Sequence, residues 1–171
     1  MTTTAFAQRP SISHLPPTAQ APPLSALDLV RGYRDAIAKL RSETKVPLRL
    51  PSWVPNDEDK SNPVYAAVAT AAPDNYQIEL AWQPDCKGAG ACHLGYMTGG
   101  SAPQESEGKK IPVKLKGGIR GYFVDSSCGA NCGDSAVYWA EGSNHYSISM
   151  KTETQKTLVK MVNSAIGSAS K

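Results

Sequence analysis

The sequence predicts an α+β fold, in which an antiparallel sheet of about six or seven strands packs against an N-terminal helix and a C-terminal helix. Three observations predict it. A helical pattern begins at Ser25, the apolar period changes to two after residue 63, and a second helical pattern ends at Gly167. A period near 3.6 indicates a helix, whereas a period of two indicates a strand with one buried face.

The first 24 residues predict a disordered, Pro-rich leader, which leaves residues 25–171 as a single α+β domain. Arg9 is the one charged side chain in this stretch, which otherwise consists mainly of Thr, Ser, Gln and Ala around five prolines: Pro10, Pro16, Pro17, Pro22 and Pro23. Such a composition favours an extended tether. Ala5-x-Ala7 is the small-residue pattern that a signal peptidase requires, so we interpret the start as a signal-peptide remnant.

Two capping boxes mark the predicted helices. The first, Ser25 to Asp28, opens an apolar pattern that should end near Thr44. The second, Thr152 to Gln155, opens a stripe that ends at Gly167 and consists of Leu158, Met161, Val162, Ala165 and Ile166. Serine or threonine followed three residues later by an acidic or amide side chain satisfies free N–H groups at a helix start. The stripe predicts that the second helix covers one face of the sheet.

The region between the helices predicts a chain of strands and turns. Three prolines within residues 46–55 favour an edge strand or an extended crossing. The residues that follow predict about six or seven strands, with candidates at 64–71, 76–82, 94–97, 111–115, 119–124, 137–139 and 146–150. Gly117-Gly118 predicts a two-residue hairpin turn because both residues tolerate positive φ, and Glu141 to Asn144 predicts another hairpin.

Composition and charge exclude two classes of function. The net charge is +3 and charged residues make up 19% of the chain, far from the dense basic face of a nucleic-acid-binding protein. No run of apolar residues reaches the length of a membrane-spanning helix. We therefore predict a protein that neither binds nucleic acid nor spans a membrane.

The cysteines predict two disulfides and an extracytoplasmic location. All four lie in turn-like loops rich in small residues: Cys86, Cys92, Cys128 and Cys132. Flexible neighbours favour the local pairs 86–92 and 128–132, although crosswise pairing of the two loops stays open. Paired loop cysteines suit an oxidising compartment, either periplasmic or secreted.

A metal site is the alternative use of these cysteines. Cys-x5-Cys, 35 further residues and Cys-x3-Cys approach the spacing of thioredoxin-like 2Fe–2S proteins, and His93 beside Cys92 could add a ligand. Zinc sites usually have two to four residues between the cysteines of each pair, which the first pair exceeds. The 2Fe–2S proteins rest on β-α-β elements, however, and the segment between Tyr96 and Gly121 predicts only loop and hairpin. We therefore expect no metal and no cofactor.

Hydrolytic chemistry has little support in the sequence. Asp134, Ser135 and His145 are the ingredients of a catalytic triad, but no G-x-S-x-G elbow is present. Asp85 and Asp125 lie beside the cysteine loops, where aspartate commonly satisfies turn amides. We assign no catalytic residue.

A basic strip predicts contact with an anionic surface. It comprises Lys109, Lys110, Lys114, Lys116 and Arg120, with Lys114 and Lys116 expected on the outward face of one hairpin. Lysines also guard sheet edges against pairing, which is the ordinary structural interpretation. The functional interpretation is attraction to anionic lipid headgroups or wall polymers.

Four segments of the C-terminal half carry a resemblance: Leu115–Phe123, Val137–Trp139, Tyr146–Ser149 and Leu158–Val162. In the pattern of its elements, the chain over about residues 46 to 166 resembles an uncharacterised bacterial domain on the outer side of anti-sigma-factor-type membrane proteins. The resemblance implies an extracytoplasmic antiparallel sheet packed by a C-terminal helix, and it transfers no catalytic residue. This chain departs from that domain in its cysteines and in the lack of a membrane helix.

The sequence therefore favours a non-enzymatic extracytoplasmic interaction or sensor module, stabilised by two disulfides. Its expected partner is an envelope component or an anionic surface, and the sequence does not name the ligand. Two alternatives stay open at this point: a secreted hydrolase, and an iron–sulfur or zinc protein that uses the four cysteines.

Overall fold

A computed structural model describes residues 32–55, 63–104, 106–126 and 133–167 of the chain. The predicted leader, the predicted helix start at Ser25 and the second cysteine pair, Cys128 and Cys132, lie outside the described residues. Helix α1 spans Tyr33–Glu43 and helix α2 spans Gln155–Gly167.

The described residues between the helices form seven strands, all in one antiparallel sheet, which confirms the predicted α+β class. In chain order they are β1 Tyr65–Ala72, β2 Asn75–Ala81, β3 His93–Gly100, β4 Lys110–Lys114, β5 Arg120–Val124, β6 Asp134–Glu141 and β7 Asn144–Lys151. Their order across the sheet is β1-β2-β3-β7-β6-β5-β4. Two meanders, β1 to β3 and β4 to β7, are therefore joined by the pairing of β3 with β7.

One face of the sheet, which we call the inner face, carries the hydrophobic core. Helix α1 packs against β1, and helix α2 packs against β6 and β7. Residues 46–55 form no strand, but their apolar side chains are buried in the same core, as an extended crossing requires. Among the described residues, no helix is long and apolar enough to cross a membrane.

The crossing segment is held to the sheet by one ion pair. The Arg49 guanidinium donates to both oxygens of Glu141, at 2.9 and 2.8 Å, and the Trp139 indole N–H also donates to Glu141, at 3.0 Å. Hydrogen bonding to Arg49, and to a smaller extent to Trp139, lowers the pKa of Glu141, although burial acts in the opposite direction. This bidentate ion pair fixes residues 46–55 at the end of the β6–β7 hairpin.

The C-terminal helix has the predicted stripe but a different start. Four of the five predicted residues are fully buried, namely Leu158, Met161, Val162 and Ala165, and Ile166 packs against the core from its border. The cap is Thr154 rather than Thr152: the Thr157 N–H donates to the Thr154 hydroxyl at 3.2 Å. Thr152 instead has a φ of 55°, a left-handed conformation at the turn that precedes the helix.

The β4–β5 hairpin turns through a longer loop than predicted. Gly117 and Gly118 do have positive φ values, of 70° and 77°. They belong to a 3-10 turn at Lys116–Gly118, and the Leu115 N–H donates to Ile119 O at 2.8 Å. The turn therefore contains three residues rather than two.

Candidate functional site

The opposite face of the sheet, which we call the outer face, carries polar and aromatic side chains and contacts neither helix. The connection between β3 and β4 lies against part of it. The Gln104 amide donates to Thr98, whose hydroxyl shares a hydrogen bond of 2.8 Å with that of Ser147. A side chain at Gly108 would contact Val124.

A cationic and aromatic patch occupies the outer face at the β4–β5–β6 side, and we call it the basic edge. It consists of Lys110, Lys114, Arg120, Tyr122 and Tyr138. Lys114 pairs with Arg120 across β4 and β5, and the Lys110 ammonium lies 4.8 Å from the centre of the Tyr122 ring. The Tyr122 and Tyr138 rings stack with centroids 5.1 Å apart.

A cleft of about 290 Å³ adjoins the basic edge. Arg120, Tyr122, Tyr138 and His145 contribute to its walls, and Gln104 of the connecting segment contributes to the other side. Burial, followed by the charges of Tyr122 and Asp134, raises the pKa of Tyr138, so its hydroxyl remains a neutral hydrogen-bond donor in ordinary buffers.

One residue of the predicted basic strip lies elsewhere. Lys116 does not share the outward face with Lys114, because the 3-10 turn carries it to the helical side of the molecule. Its N–H donates to the Asn163 side chain at 2.7 Å, and its ammonium lies against Gly167 at the end of α2. Lys109 is exposed immediately before Lys110, which begins β4.

A polar cluster lies at the other side of the outer face and is built from four neighbouring strands, β2, β3, β7 and β6. His93 Nε2 lies 3.0 Å from Asp134 Oδ2, and His93 Nδ1 lies 3.6 Å from Glu79 Oε1. The Ser149 hydroxyl donates to the same Asp134 oxygen at 3.0 Å. The Tyr96 ring lies 4.4 Å from the imidazole, centre to centre. Burial, followed by the charges of Glu79 and Asp134, raises the pKa of Tyr96.

A strand irregularity places His93 in this cluster. Leu80 pairs with Gly95 while Ala81 pairs with His93, so the register shifts at the start of β3. In a regular strand, residues three apart project to opposite faces. The shift instead puts both His93 and Tyr96 on the outer face, while Leu94 remains in the core.

The first predicted disulfide is present beside this cluster. Cys86 and Cys92 are bonded with their Cα atoms 5.6 Å apart, and both are buried together with Ala81. Their sulfurs are therefore not free thiolates for a metal. Within the described part of the chain, no group of three or more His, Cys, Asp or Glu residues could hold a metal ion. Cys128 and Cys132 lie outside the described residues, so their pairing stays a prediction.

The three residues that could have formed a catalytic triad do not lie together. Asp134 and Ser135 are neighbours on β6 and project to opposite faces; Ser135 is fully buried and donates to Asp125 at 3.4 Å. His145 pairs with Ala140 near the hairpin turn, whereas Asp134 pairs with Lys151 at the other end of the same hairpin. At about 3.3 Å per residue, the two side chains are roughly 20 Å apart.

Comparison with protein-family models, with curated proteins and with solved structures finds no match to this chain. The resemblance to an extracytoplasmic domain of anti-sigma-factor-type proteins therefore stays a prediction.

Sequence reasoning missed Glu79, the most buried acidic side chain of the outer face. It alternates with Ile78 and Leu80 on β2, so its position predicts an ordinary solvated strand residue. One available signal was its place near the end of a strand that leads directly into the first cysteine loop.

The disulfide pairing gives a direct prediction. We expect an intact mass about 4 Da below that of the fully reduced chain, because each of two bridges removes two hydrogens. Peptide mapping should pair Cys86 with Cys92 and Cys128 with Cys132. Replacing Cys86 and Cys92 by serine should lower stability by about 2 kcal/mol, since a short ring restricts the unfolded chain only modestly. Four titratable thiols would contradict the pairing and the oxidising compartment.

Proposed function

We propose that this protein is a non-enzymatic extracytoplasmic binding module whose basic edge holds an anionic envelope polymer made of acidic sugar units. The single observation that carries the proposal is the juxtaposition of three cations with two stacked tyrosines on a sheet face that neither helix contacts. The extracytoplasmic location is supported by the cysteine pattern and by the Cys86–Cys92 bond.

Charge and shape favour a polymer of sugars over other anionic partners. Lys110, Lys114 and Arg120 supply three positive charges along one edge, which suits a ligand with repeated negative groups. The tyrosine rings offer flat apolar surface with polar tips, and the neighbouring cleft of about 290 Å³ is open to solvent-borne groups. A lipid surface would also attract the cations, so the experiment has to separate the two sources.

The test compares polygalacturonate with its methyl ester, a polymer of the same backbone without the charge. We expect saturable binding of polygalacturonate that weakens with added salt, and little binding of the ester. The variant Lys114→Gln/Arg120→Gln should lose about tenfold to thirtyfold in affinity, at about 1 kcal/mol per charge. A matched control, Lys39→Gln/Lys156→Gln, removes two exposed charges from the helices and should bind like the parent.

Three outcomes contradict the proposal. If the methyl ester binds as tightly as polygalacturonate, the charge of the polymer has no role. If the two double variants lose the same affinity for polygalacturonate, the basic edge has no specific role. Tighter binding to phosphatidylglycerol vesicles than to polygalacturonate assigns the basic edge to a membrane surface instead.

A further inference from the structure

A second cleft lies on the outer face, away from the basic edge and beside the disulfide loop. Its volume is about 460 Å³, within the range of small-molecule sites. Strands β1 and β2 form its floor, and the loop closed by Cys86–Cys92 forms one wall. The side chains that matter for its chemistry are Tyr65, Glu79, Asp85, Lys87 and Tyr96.

Glu79 is the buried charge of this cleft. Its side chain is only 9% exposed, and Oε1 accepts the Gly88 N–H at 2.7 Å. Among the described residues, Oε2 has no hydrogen-bond donor. Oε2 is not one of the buried unpartnered atoms of the described residues, so it stays accessible from the cleft, where a bound cation could contact it.

No described lysine or arginine forms an ion pair with Glu79. Glu79 and Asp134 lie on opposite sides of the His93 imidazole, and Glu79 approaches it through Oε1. Lys151 lies opposite Asp134 on β7 and donates to Gly90 O at 2.6 Å, and Lys87 is exposed at the rim of the cleft. Asp85 adds a further negative charge to the wall.

The geometry favours an organic cation over a metal ion. Glu79 and Asp134 approach different nitrogens of His93, so their oxygens do not converge on one point, and the described residues form no metal-ligand group. The walls instead include two tyrosines, Tyr65 and Tyr96. Aromatic rings beside a carboxylate are the surroundings in which proteins bind alkylammonium groups.

We propose that this cleft binds a small organic ammonium ion, with Glu79 Oε2 as its counter-charge and with Tyr65 and Tyr96 in its wall. This site is separate from the basic edge and has the opposite charge preference. Its test therefore succeeds or fails independently of the anionic-polymer proposal.

The experiment follows amide resonances by NMR while the isotopically labelled protein is titrated at constant ionic strength. One titrant is choline, and the other is 3,3-dimethylbutan-1-ol, the uncharged carbon isostere of choline. We expect choline to shift the amide resonances of Glu79, Gly88 and Tyr96 saturably, with a Kd in the millimolar range. Dimethylbutanol should bind at least about tenfold more weakly, because it offers the same shape without the charge.

The variant Glu79→Gln keeps the side-chain shape and an acceptor for the Gly88 N–H, and it should bind choline about tenfold more weakly than the parent. Asp74→Asn is the matched control: it removes one exposed carboxylate at the opposite end of β2, and it should bind choline like the parent.

Equal binding of the two isosteres by the parent protein would overturn the proposal, and that comparison needs no variant to fold. Undiminished choline binding by a folded Glu79→Gln protein, or the absence of any saturable choline shift, would overturn it as well.

Discussion

Leu158→Asp should prevent stable folding. Leu158 is fully buried on α2, and the helix contacts β6 and β7 through this stripe. The substitution removes a large apolar side chain and places an unpaired carboxylate in the core, which we expect to destabilise the fold by ~5 kcal/mol or more. That loss is comparable to the whole stability of an ordinary domain. Circular dichroism and thermal unfolding measure it.

The matched control is Lys156→Asp, which introduces the same side chain at an exposed position of the same helix. It should melt within a few degrees of the parent, because Lys156 is exposed in the first turn of α2, where an acidic side chain is tolerated or slightly favourable. A Leu158→Asp protein that melts like the parent would show that α2 is not docked on the sheet.

Gly95→Ala should lower the stability of the fold by about 3 kcal/mol, or the melting temperature by roughly 10 °C. A Cβ atom at this position would lie inside van der Waals contact with the Ser149 carbonyl oxygen, and 2.9 Å from the Met150 sulfur. The methionine can adjust, but the carbonyl belongs to the backbone of β7. The methyl group therefore has to push β3 away from β7, where the two meanders are joined.

Gly90→Ala serves as the control for Gly95→Ala, because a Cβ at Gly90 meets nothing within 4 Å and its φ is not in the left-handed region. Chemical denaturation of both variants measures the difference. Equal stability of the two proteins would mean that β3 and β7 can separate slightly without loss.

The elements of the fold were predictable because each depends on neighbours in sequence. The alternation of Tyr76, Ile78 and Leu80 predicts β2 directly, and all three are buried on the inner face. The sequence predicts the helix cap two residues early because Thr152 and Gln155 have the spacing of a capping box, whereas the left-handed backbone at Thr152 leaves Thr154 as the cap. The pairing of β3 with β7 joins distant segments, and no local pattern specifies it.

The two candidate sites differ in how far the sequence predicts them. Lys110, Lys114 and Arg120 lie on one hairpin, so period-two alternation is enough to bring them together. Glu79, His93 and Asp134 come from three strands, and His93 joins them only through the register shift at Leu80 and Ala81. A register shift in a strand depends on tertiary pairing, so the sequence alone does not place His93 on the outer face.

The way in which the sheet is assembled has a consequence for folding kinetics. Within each meander, every strand pairs with its neighbour in sequence, so these contacts close short loops and can form early. The β3–β7 pairing has to close a much longer loop. Because each doubling of loop length adds about 0.6 kcal/mol of entropic cost, this pairing should form after the hairpins. We therefore expect two half-sheets to form independently and then to associate. Helix α2 follows β7 in the chain and packs on β6 and β7, so it can shield the apolar face of the second half-sheet before the halves meet.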